Sequence, residues 1–313
     1  MPATKTSELS MDAEFRLPEP DQILPLTMED GAEIIVRRHG NPDGKRIILS
    51  HGNGFASDAY FPFWQYLLPA YDIFLYDQRN HGWNPRHDLI IHHDVPWFSS
   101  DLEEILKKIE KTCGRKPTFG VFHSISAITS IRHALEFGWN WRGLILFDPP
   151  LVMPPMHDLH GISQGYDLML ANWAAERQAV FKTPLDLAMQ LKNSKSHCRW
   201  VAGAHELMAQ SILKEDKNSN DWKLRCPPSG ESRVYATNAS MNLTPHFAEL
   251  AGPLKIIASD PNGLPARSPA LVNQALHQLY GHSWQAIPDT THMLQLEKPE
   301  LCAQITEDFL ENL

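Results

Sequence analysis

Two kinds of apolar pattern alternate along most of the chain. Short apolar runs typical of buried strands span residues 33–38, 46–50, 71–77, 117–123, 143–148, 253–259 and 284–287. Segments in which apolar residues recur at the spacing of one helix face span residues 57–68, 98–112, 126–137, 265–280 and 299–310. Strands that alternate with helices in this way predict an α/β fold with a mostly parallel central sheet and helices on both of its faces.

The alternation is interrupted between residues 149 and 245. Four prolines within residues 149–155 open this stretch, which contains predicted helices over residues 168–179 and 184–192 and no strong strand. Proline cannot continue a helix or a central strand, so it marks a break in the pattern. We therefore predict a core domain of residues 1–148 and 246–313, interrupted by a helical cap, or lid, of residues 149–245.

Composition and charge exclude several classes of protein. The 313 residues are 42% hydrophobic and 21% charged, which is enough for one large domain with an insertion. The net charge of -9, without a stripe of Lys and Arg, argues against a nucleic-acid partner. No run has the ~20 apolar residues of a membrane helix, so we expect a cytoplasmic protein without an integral membrane segment. The four cysteines form no Cys-x-x-Cys pair, so neither a disulfide framework nor a zinc site is expected.

The first candidate for chemistry is a serine between a predicted strand and a predicted helix. In residues 121–127 (VFHSISA), a sharp turn would lift the Ser124 hydroxyl out of the sheet at the start of a helix. This segment resembles the nucleophile elbow, G-x-S-x-G, of the α/β-hydrolase superfamily. Phe122 and Ser126 stand where both glycines would be, and Phe122 departs from the need for small side chains at such a turn. The alternative is a buried serine that caps a helix.

A second motif, HGNGF at residues 51–55, directly follows the predicted strand RIILS. In the resembled superfamily, this position supplies a backbone N–H to the oxyanion hole, a donor already aimed at the charge that develops on the carbonyl oxygen. The resemblance implies that Asn53 is one donor and that Ile125, which follows the nucleophile, is the other. The alternative is a glycine-rich turn without a chemical role.

A histidine and an acid complete the expected set. His292 lies in a loop between a predicted strand and the closing helix, which resembles the superfamily's C-terminal histidine loop. Its imidazole would take the serine proton, and a carboxylate would hold that imidazole in one tautomer. Asp260 matches the usual place of the acid, and Asp148, one strand earlier, is the alternative. The order Ser124, Asp260, His292 agrees with the superfamily's chain order.

Two further segments carry weaker resemblances. Residues 77–82 resemble the superfamily's D-x-R-x-H-G segment, which we interpret as a structural turn packed by Gly82 below the active site. Residues 175–177 and 226–228 of the cap resemble a branch of lipase-like and esterase-like members. In that interpretation the cap lines an acyl pocket, although plain core packing explains its apolar residues equally well. The expected substrate-binding residues are Gly52, Gly54, Phe55, His123, Met169, Trp173 and Met293.

Taken together, these motifs predict an α/β-hydrolase fold and a serine hydrolase that acts through an acyl-enzyme on a small, apolar ester or related acyl substrate. No cofactor or metal is expected, and the protein would be a monomer or a homodimer. Thioester hydrolysis, carbon–carbon bond hydrolysis and acyl transfer use the same triad and stay open.

Three other kinds of function have weaker support in the sequence. Residues 52–57 with Asp77 resemble a dinucleotide-binding fingerprint, but the third glycine is missing. A noncatalytic receptor with the same fold is a further alternative. The histidine clusters at residues 92–93 and 157–160 lack a metal-ligand spacing.

Overall fold

The structure, a computed structural model, describes residues 15–263 and 268–313. Numbered along the chain, its strands are β1 (Gln22–Thr27), β2 (Glu33–Gly40), β3 (Lys45–Ser50), β4 (Tyr71–Tyr76), β5 (Thr118–His123), β6 (Gly143–Phe147), β7 (Val180–Phe181), β8 (Leu213–Asp216), β9 (Asp221–Leu224), β10 (Leu254–Ala258) and β11 (Ser283–Ala286). Its helices are α1 (Phe61–Trp64), α2 (Val95–Cys113), α3 (Ile125–Phe137), α4 (His160–Glu176), α5 (Pro184–Lys192), α6 (Ala204–Ile212), α7 (Pro228–Asn238), α8 (Ser268–Tyr280), α9 (Leu294–Glu297) and α10 (Pro299–Glu311).

Eight strands form the main sheet, in the order β1-β2-β4-β3-β5-β6-β10-β11. The β1–β2 and β2–β4 pairs are antiparallel, and every later pair from β4 to β11 is parallel. Parallel neighbours need a crossover connection, which α2, α3 and α8 provide. The predicted α/β-hydrolase fold, with its mostly parallel sheet, is confirmed.

The core lies on both faces of this sheet. Side chains alternate along each strand, so Ile47 and Leu49 of β3 enter one apolar cluster and Ile48 enters the other. The first cluster is covered by α1, α6, α9 and α10, and the second by α2, α3 and α8. Because helices cover both faces, the central strands are mostly apolar, as their sequences predict.

The seven predicted strands are all present, with small shifts at their ends. The edge strand β1 is not among the predicted strands; it contains Pro25, which is tolerated at a sheet edge. The helix predicted over residues 57–68 is instead a 3-10 turn, Ser57–Tyr60, followed by the single turn of α1. The start of the helix predicted over residues 265–280 lies outside the described residues.

The insertion between β6 and β10 contains α4 to α7 and a second sheet with the order β7-β9-β8. This small sheet was not predicted from the sequence, in which the stretch shows no strong strand. Its strands have only two or four residues, which is too short for a periodic pattern to register. The division into core and cap domains stays a prediction. Within the described residues, the helices fall short of the length and hydropathy that crossing a membrane requires.

Candidate active site

Ser124 occupies a strained turn between β5 and α3. Its backbone has φ 56° and ψ −119°, a conformation that costs a non-glycine residue about 1–3 kcal/mol. The turn is held by Ser124 N–H, which donates to the Phe147 carbonyl at 2.9 Å. Ser126 Oγ also closes the turn, because it donates to His123 O at 2.8 Å and accepts from His123 N at 3.0 Å. At the position where the elbow pattern has its second glycine, Ser126 is small and also forms side-chain hydrogen bonds that stabilise the turn. A glycine there would be small but could not form them.

Phe122, the departure from the elbow pattern, is accommodated by a glycine two residues earlier. Its ring is fully buried and packs edge-on against Trp141 at a centroid distance of 5.5 Å. A Cβ on Gly120 would lie 2.4 Å from this ring and 2.5 Å from Leu144 Cδ2. Residues two apart share one face of a strand, so the space that Phe122 needs comes from Gly120.

The structure brings Ser124 and His292 together, although they are far apart in the sequence. Ser124 Oγ lies 2.9 Å from His292 Nε2, and His292 Nδ1 lies 2.8 Å from Asp148 Oδ2. The hydroxyl, imidazole and carboxylate thus form one hydrogen-bonded row at the carboxyl edge of the parallel strands. Ser124 is 5% exposed and the His292 side chain 18% exposed, so neither is completely buried.

Asp148, and not Asp260, is the carboxylate beside His292. Asp148 directly follows β6 and is completely buried, with φ 45°. Its Oδ1 accepts from Ser259 N at 3.2 Å and from Asn273 Nδ2 at 3.1 Å, and its Oδ2 accepts from Ser259 Oγ at 2.9 Å. Each of these contacts supplies a hydrogen to an oxygen of Asp148, so the neighbours fix the orientation of the carboxylate.

Asp260, the acid expected from the sequence, has a different place. Its Oδ2 accepts from Asp289 N at 2.8 Å and its Oδ1 from Asn262 N at 2.8 Å. These backbone donors, that of Asp289 first, lower the pKa of Asp260 below its usual value. Its carboxylate braces the backbone of residues 287–293, the histidine loop, so the structure differs from the expected pairing with His292.

Among residues 52–55 of the HGNGF loop (residues 51–55), the N–H groups differ in whether the described part of the chain offers them an acceptor. Gly52 N donates to Tyr60 Oη at 3.1 Å, Gly54 N to His81 Nε2 at 3.0 Å, and Phe55 N to the Gly52 carbonyl at 3.2 Å. Asn53 N, by contrast, donates to no acceptor within residues 15–263 and 268–313.

The backbone N–H of Ile125 at the start of α3 likewise has no acceptor in the described part of the chain. Asn53 and Ile125 are the residues expected from the sequence to form the oxyanion hole. They therefore retain the unused donors that such a role requires.

The insertion reaches this loop through Glu231 of α7. The Glu231 carbonyl accepts from Asn53 Nδ2 at 2.9 Å, and its carboxylate pairs with Arg177 at 2.7 Å. Gly54 has φ 76°, and a Cβ there would lie 2.6 Å from Glu231 Oε1. Burial raises the pKa of Glu231, while Arg177 opposes that shift.

The residues of the D-x-R-x-H-G segment are used inside the protein. Asp77 is completely buried and accepts from Arg37 at 3.0 Å and from Ser57 N at 2.7 Å. Arg79 forms a bidentate pair with Asp101 of α2 at 2.6 and 2.7 Å. Since the Asp77 carboxylate is fully engaged, it is not available to a nucleotide ribose, which argues against the dinucleotide alternative.

Two clusters outside the row offer metal-ligating atoms within the described residues: the partly buried Asp30, His87 and His92, and the buried His81, His93 and Cys226. His81 Nδ1 lies 2.8 Å from the Arg79 carbonyl, so Nδ1 carries the proton and Nε2 accepts from Gly54 N. His93 Nδ1 faces the Asn80 amide nitrogen at 3.3 Å, which puts the proton on the Nε2 that faces Cys226. In these tautomers, neither imidazole presents a free nitrogen lone pair to the cluster.

The remaining expected substrate-binding residues differ in their surroundings. His123 is fully buried, with both ring nitrogens bonded to protein groups, so it is not a direct ligand in this structure. Met293 is buried at 3% exposure and Phe55 is partly buried. On α4, Met169 and Trp173 are 55% and 50% exposed.

Sequence reasoning did not assign functional positions to Tyr60, Ser259 or Asn273. Tyr60 lies in an apolar run, and Asn273 lies in the middle of a helix without a motif. Ser259 adjoins the expected acid but carries no motif of its own. No local signal could have identified them, because each acts on a residue remote in the sequence.

An eight-stranded, mostly parallel sheet with a serine at the sharp turn after a central strand is the α/β-hydrolase fold. The model of the alpha/beta hydrolase family matches residues 47–305. The chain therefore belongs to the alpha/beta hydrolase family, whose fold supports a hydrolase. A search of curated proteins found no match to the sequence.

Many solved structures share this fold. An E-2-(acetamidomethylene)succinate hydrolase superposes with a TM-score of 0.72 at 16% identity, over 93% of this chain and 100% of the other. A thermophilic esterase from Thermogutta terrifontis gives a TM-score of 0.68 at 18% identity, over 93% and 98%. The thioesterase domain from a curacin biosynthetic pathway gives 0.68 at 15% identity, over 91% and 98%. At these identities the similarity shows the fold alone.

Proposed function

We propose that the protein is a serine hydrolase that cleaves a carboxylic ester or related acyl substrate through an acyl-enzyme intermediate. The observation that carries the proposal is the row Ser124 Oγ, His292 Nε2 and Nδ1, and Asp148 Oδ2, with contacts of 2.9 and 2.8 Å. A hydroxyl bonded to an imidazole that is in turn oriented by a carboxylate is the arrangement of an activated serine nucleophile. The acid in this proposal is Asp148, in place of Asp260.

The first half-reaction forms the acyl-enzyme. Ser124 Oγ attacks the substrate carbonyl carbon while His292 Nε2 takes its proton, and Asp148 stabilises the resulting imidazolium. The negative charge then on the carbonyl oxygen is held by the N–H groups of Asn53 and Ile125. One such donor contributes about 3–4 kcal/mol to transition-state stabilisation. His292 returns the proton to the leaving alcohol as the carbon–oxygen bond breaks.

The second half-reaction releases the acid. Water gives a proton to His292 Nε2 and attacks the acyl carbon, the same N–H groups hold the oxyanion, and Ser124 recovers its proton as it leaves. The protein groups in the row carry every proton transfer in both halves. We therefore propose a small-molecule acyl or ester substrate and a reaction that these side chains complete by themselves.

An activity-based probe tests this proposal without knowledge of the natural substrate. A fluorophosphonate is expected to label the wild-type protein at Ser124, and Ser124→Ala and His292→Ala should abolish labelling. Ser130→Ala is the matched control, because Ser130 is a buried serine of α3 whose Oγ donates to the Ala127 carbonyl at 2.8 Å. Peptide mapping of the labelled residue completes the measurement.

The probe also separates an enzyme from a noncatalytic protein with the same fold. A folded wild-type protein that resists labelling, or a Ser124→Ala variant that labels as fast as wild type, would refute the proposal. p-Nitrophenyl esters of increasing acyl length would then define the acyl preference of the active protein.

A further inference from the structure

We propose that His123 and Tyr60 act as a positioning pair that fixes the HGNGF loop relative to the histidine loop. This inference rests on the proposed function, since its consequence is the alignment of an oxyanion donor with the general base. Neither residue touches the reacting atoms in this proposal. Each acts through the backbone of a residue that does, or of its immediate neighbour.

The pair links the two loops through an unbroken row of hydrogen bonds. His123 Nε2 lies 2.9 Å from the His292 carbonyl, and His123 Nδ1 lies 2.7 Å from Tyr60 Oη. Tyr60 Oη accepts from Gly52 N at 3.1 Å. His123 and Tyr60 are both completely buried, so solvent cannot replace either partner.

The chemistry of the partners fixes where each proton lies. The His292 carbonyl can only accept, so His123 Nε2 carries a hydrogen and donates it. In the neutral imidazole, Nδ1 is then an acceptor, and the Tyr60 hydroxyl donates to it. That hydroxyl oxygen keeps a lone pair for Gly52 N–H. Burial lowers the pKa of His123 well below its usual value, with the neighbouring His292 acting in the same direction. The neutral form that this row requires is therefore the stable one.

Gly52 is held on both sides of its α-carbon. Its N–H is bonded to Tyr60, and its carbonyl lies 2.7 Å from His51 Nδ1. In a trans peptide the N–H points opposite to the preceding carbonyl, so fixing the Gly52 carbonyl also sets the direction of the Asn53 N–H. A Cβ on Gly52 would lie 3.0 Å from His123 Nδ1, which shows how closely the loop packs on the pair.

The pair thus couples two elements that must agree in position. In the proposed mechanism, the imidazole of His292 and the N–H of Asn53 act on the same reacting carbonyl group, so a misplaced donor costs rate even when the triad is intact. His123 directly precedes Ser124 in the chain. Its side chain therefore fixes the positions of both loops relative to the turn that carries Ser124.

Tyr60→Phe is the variant that tests the proposal, because it removes one oxygen atom and keeps the ring. The second-order rate constant of fluorophosphonate labelling, measured over a range of pH, is the readout. We expect it to fall by about 10- to 100-fold on its plateau, since the phosphonyl oxyanion needs the aligned donor. The pH midpoint of the acidic limb should stay unchanged, because the contact of His292 with Asp148 is untouched. Tyr71→Phe is the matched control, a buried tyrosine of the same apolar cluster whose labelling rate should equal that of wild type.

A double-mutant cycle distinguishes positioning from general loosening of the fold. His123→Asn removes the ring that bridges Tyr60 and the His292 carbonyl. If the two residues act as one row, the double variant should label no more slowly than the slower single variant. Melting temperatures measured alongside identify variants that have lost their fold, and labelling is compared well below the lowest of them.

Three results would refute the proposed positioning role of His123 and Tyr60. One is a folded Tyr60→Phe protein that labels within twofold of wild type. Another is a fall in rate that comes only from a displaced acidic limb, which would mean that Tyr60 tunes the basicity of His292. The last is a double variant whose losses multiply. Absence of labelling in wild type would instead refute the proposed function, and the pair with it, so the two failures are distinguishable.

Discussion

Replacement of Asp148 by asparagine tests the proposed mechanism most directly, because it changes hydrogen-bond donors with almost no change in shape. Asp148 offers only acceptors to its neighbours: Oδ2 to His292 Nδ1 and Ser259 Oγ, and Oδ1 to Ser259 N and Asn273 Nδ2. An asparagine has one oxygen and one NH₂ group for these positions. One of its two ends must therefore present donors where the native structure needs an acceptor.

The surroundings decide which way the asparagine lies. With its oxygen toward Ser259 N and Asn273 Nδ2, both of those donors stay satisfied, and the NH₂ group faces His292 Nδ1. The imidazole must then accept at Nδ1 and carry its hydrogen on Nε2. In that tautomer Nε2 cannot take the Ser124 proton. The opposite orientation would place an NH₂ group against two donors in a buried site, which is the more costly arrangement.

We expect Asp148→Asn to lower turnover by about 10⁴-fold. A loss of this size results when the acid of a triad is changed to its amide and the histidine adopts the wrong tautomer. This fall corresponds to about 5 kcal/mol of lost transition-state stabilisation. Asp260→Asn is the matched control, since Asp260 accepts backbone N–H groups and lies away from His292. We expect its turnover within a few-fold of wild type.

The assay is esterase turnover on a p-nitrophenyl ester, with fluorophosphonate labelling as the substrate-independent measure. Thermal unfolding of both variants establishes that they are folded at the assay temperature. Near-normal turnover of Asp148→Asn together with a large loss in Asp260→Asn would restore the sequence-based choice of acid and refute the tautomer argument.

Three further predictions concern stability. Burial raises the pKa of Asp167 to about 8, so the folded state holds a proton that the unfolded chain releases, and stability should fall as pH rises from about 4 to 8. Asp167→Asn should remove this dependence, as denaturant unfolding at pH 5 and pH 8 would show; an unchanged slope contradicts it. Gly82→Ala should destabilise by about 3 kcal/mol, because a Cβ at φ 49° would lie 2.1 Å from Asp77 Cγ, and unaltered unfolding would disprove this. Gly120→Ala should cost about 1–3 kcal/mol by displacing the Phe122 ring, and its melting temperature provides the check.

Much of the sheet could be predicted because each buried strand carries its own signal. The runs that became β3 to β6 and β10 are mostly apolar, and the helices that cover them show one apolar face. The pattern failed where an element is short or is stabilised mainly by its partner, as for β1 at the sheet edge and the small sheet of the insertion. Pairing with a neighbouring strand stabilises such a segment, and this contribution leaves no pattern in the segment's own sequence.

The site was predictable only in part, for a geometric reason. Ser124 and His292 were located by the motifs around them, even among sixteen histidines. The expected pairing of Asp260 with His292 was wrong because Asp148 and Asp260 both follow parallel strands at the same sheet edge, where sequence alone gives no distances. Asp148 comes directly after β6, beside Ser259 and Asn273. Asp260 lies two residues beyond the end of β10, where it meets backbone donors of the histidine loop.

The contact of Gly54 with Glu231 bears on how a substrate could enter. Glu231 fills the space that a side chain at Gly54 would need, and its carbonyl also holds the Asn53 amide. An insertion that swung outward as one rigid flap would withdraw both supports and release the loop that carries the Asn53 N–H. In the proposed mechanism, the support of the Asn53 N–H therefore depends on α7 staying in contact with the HGNGF loop.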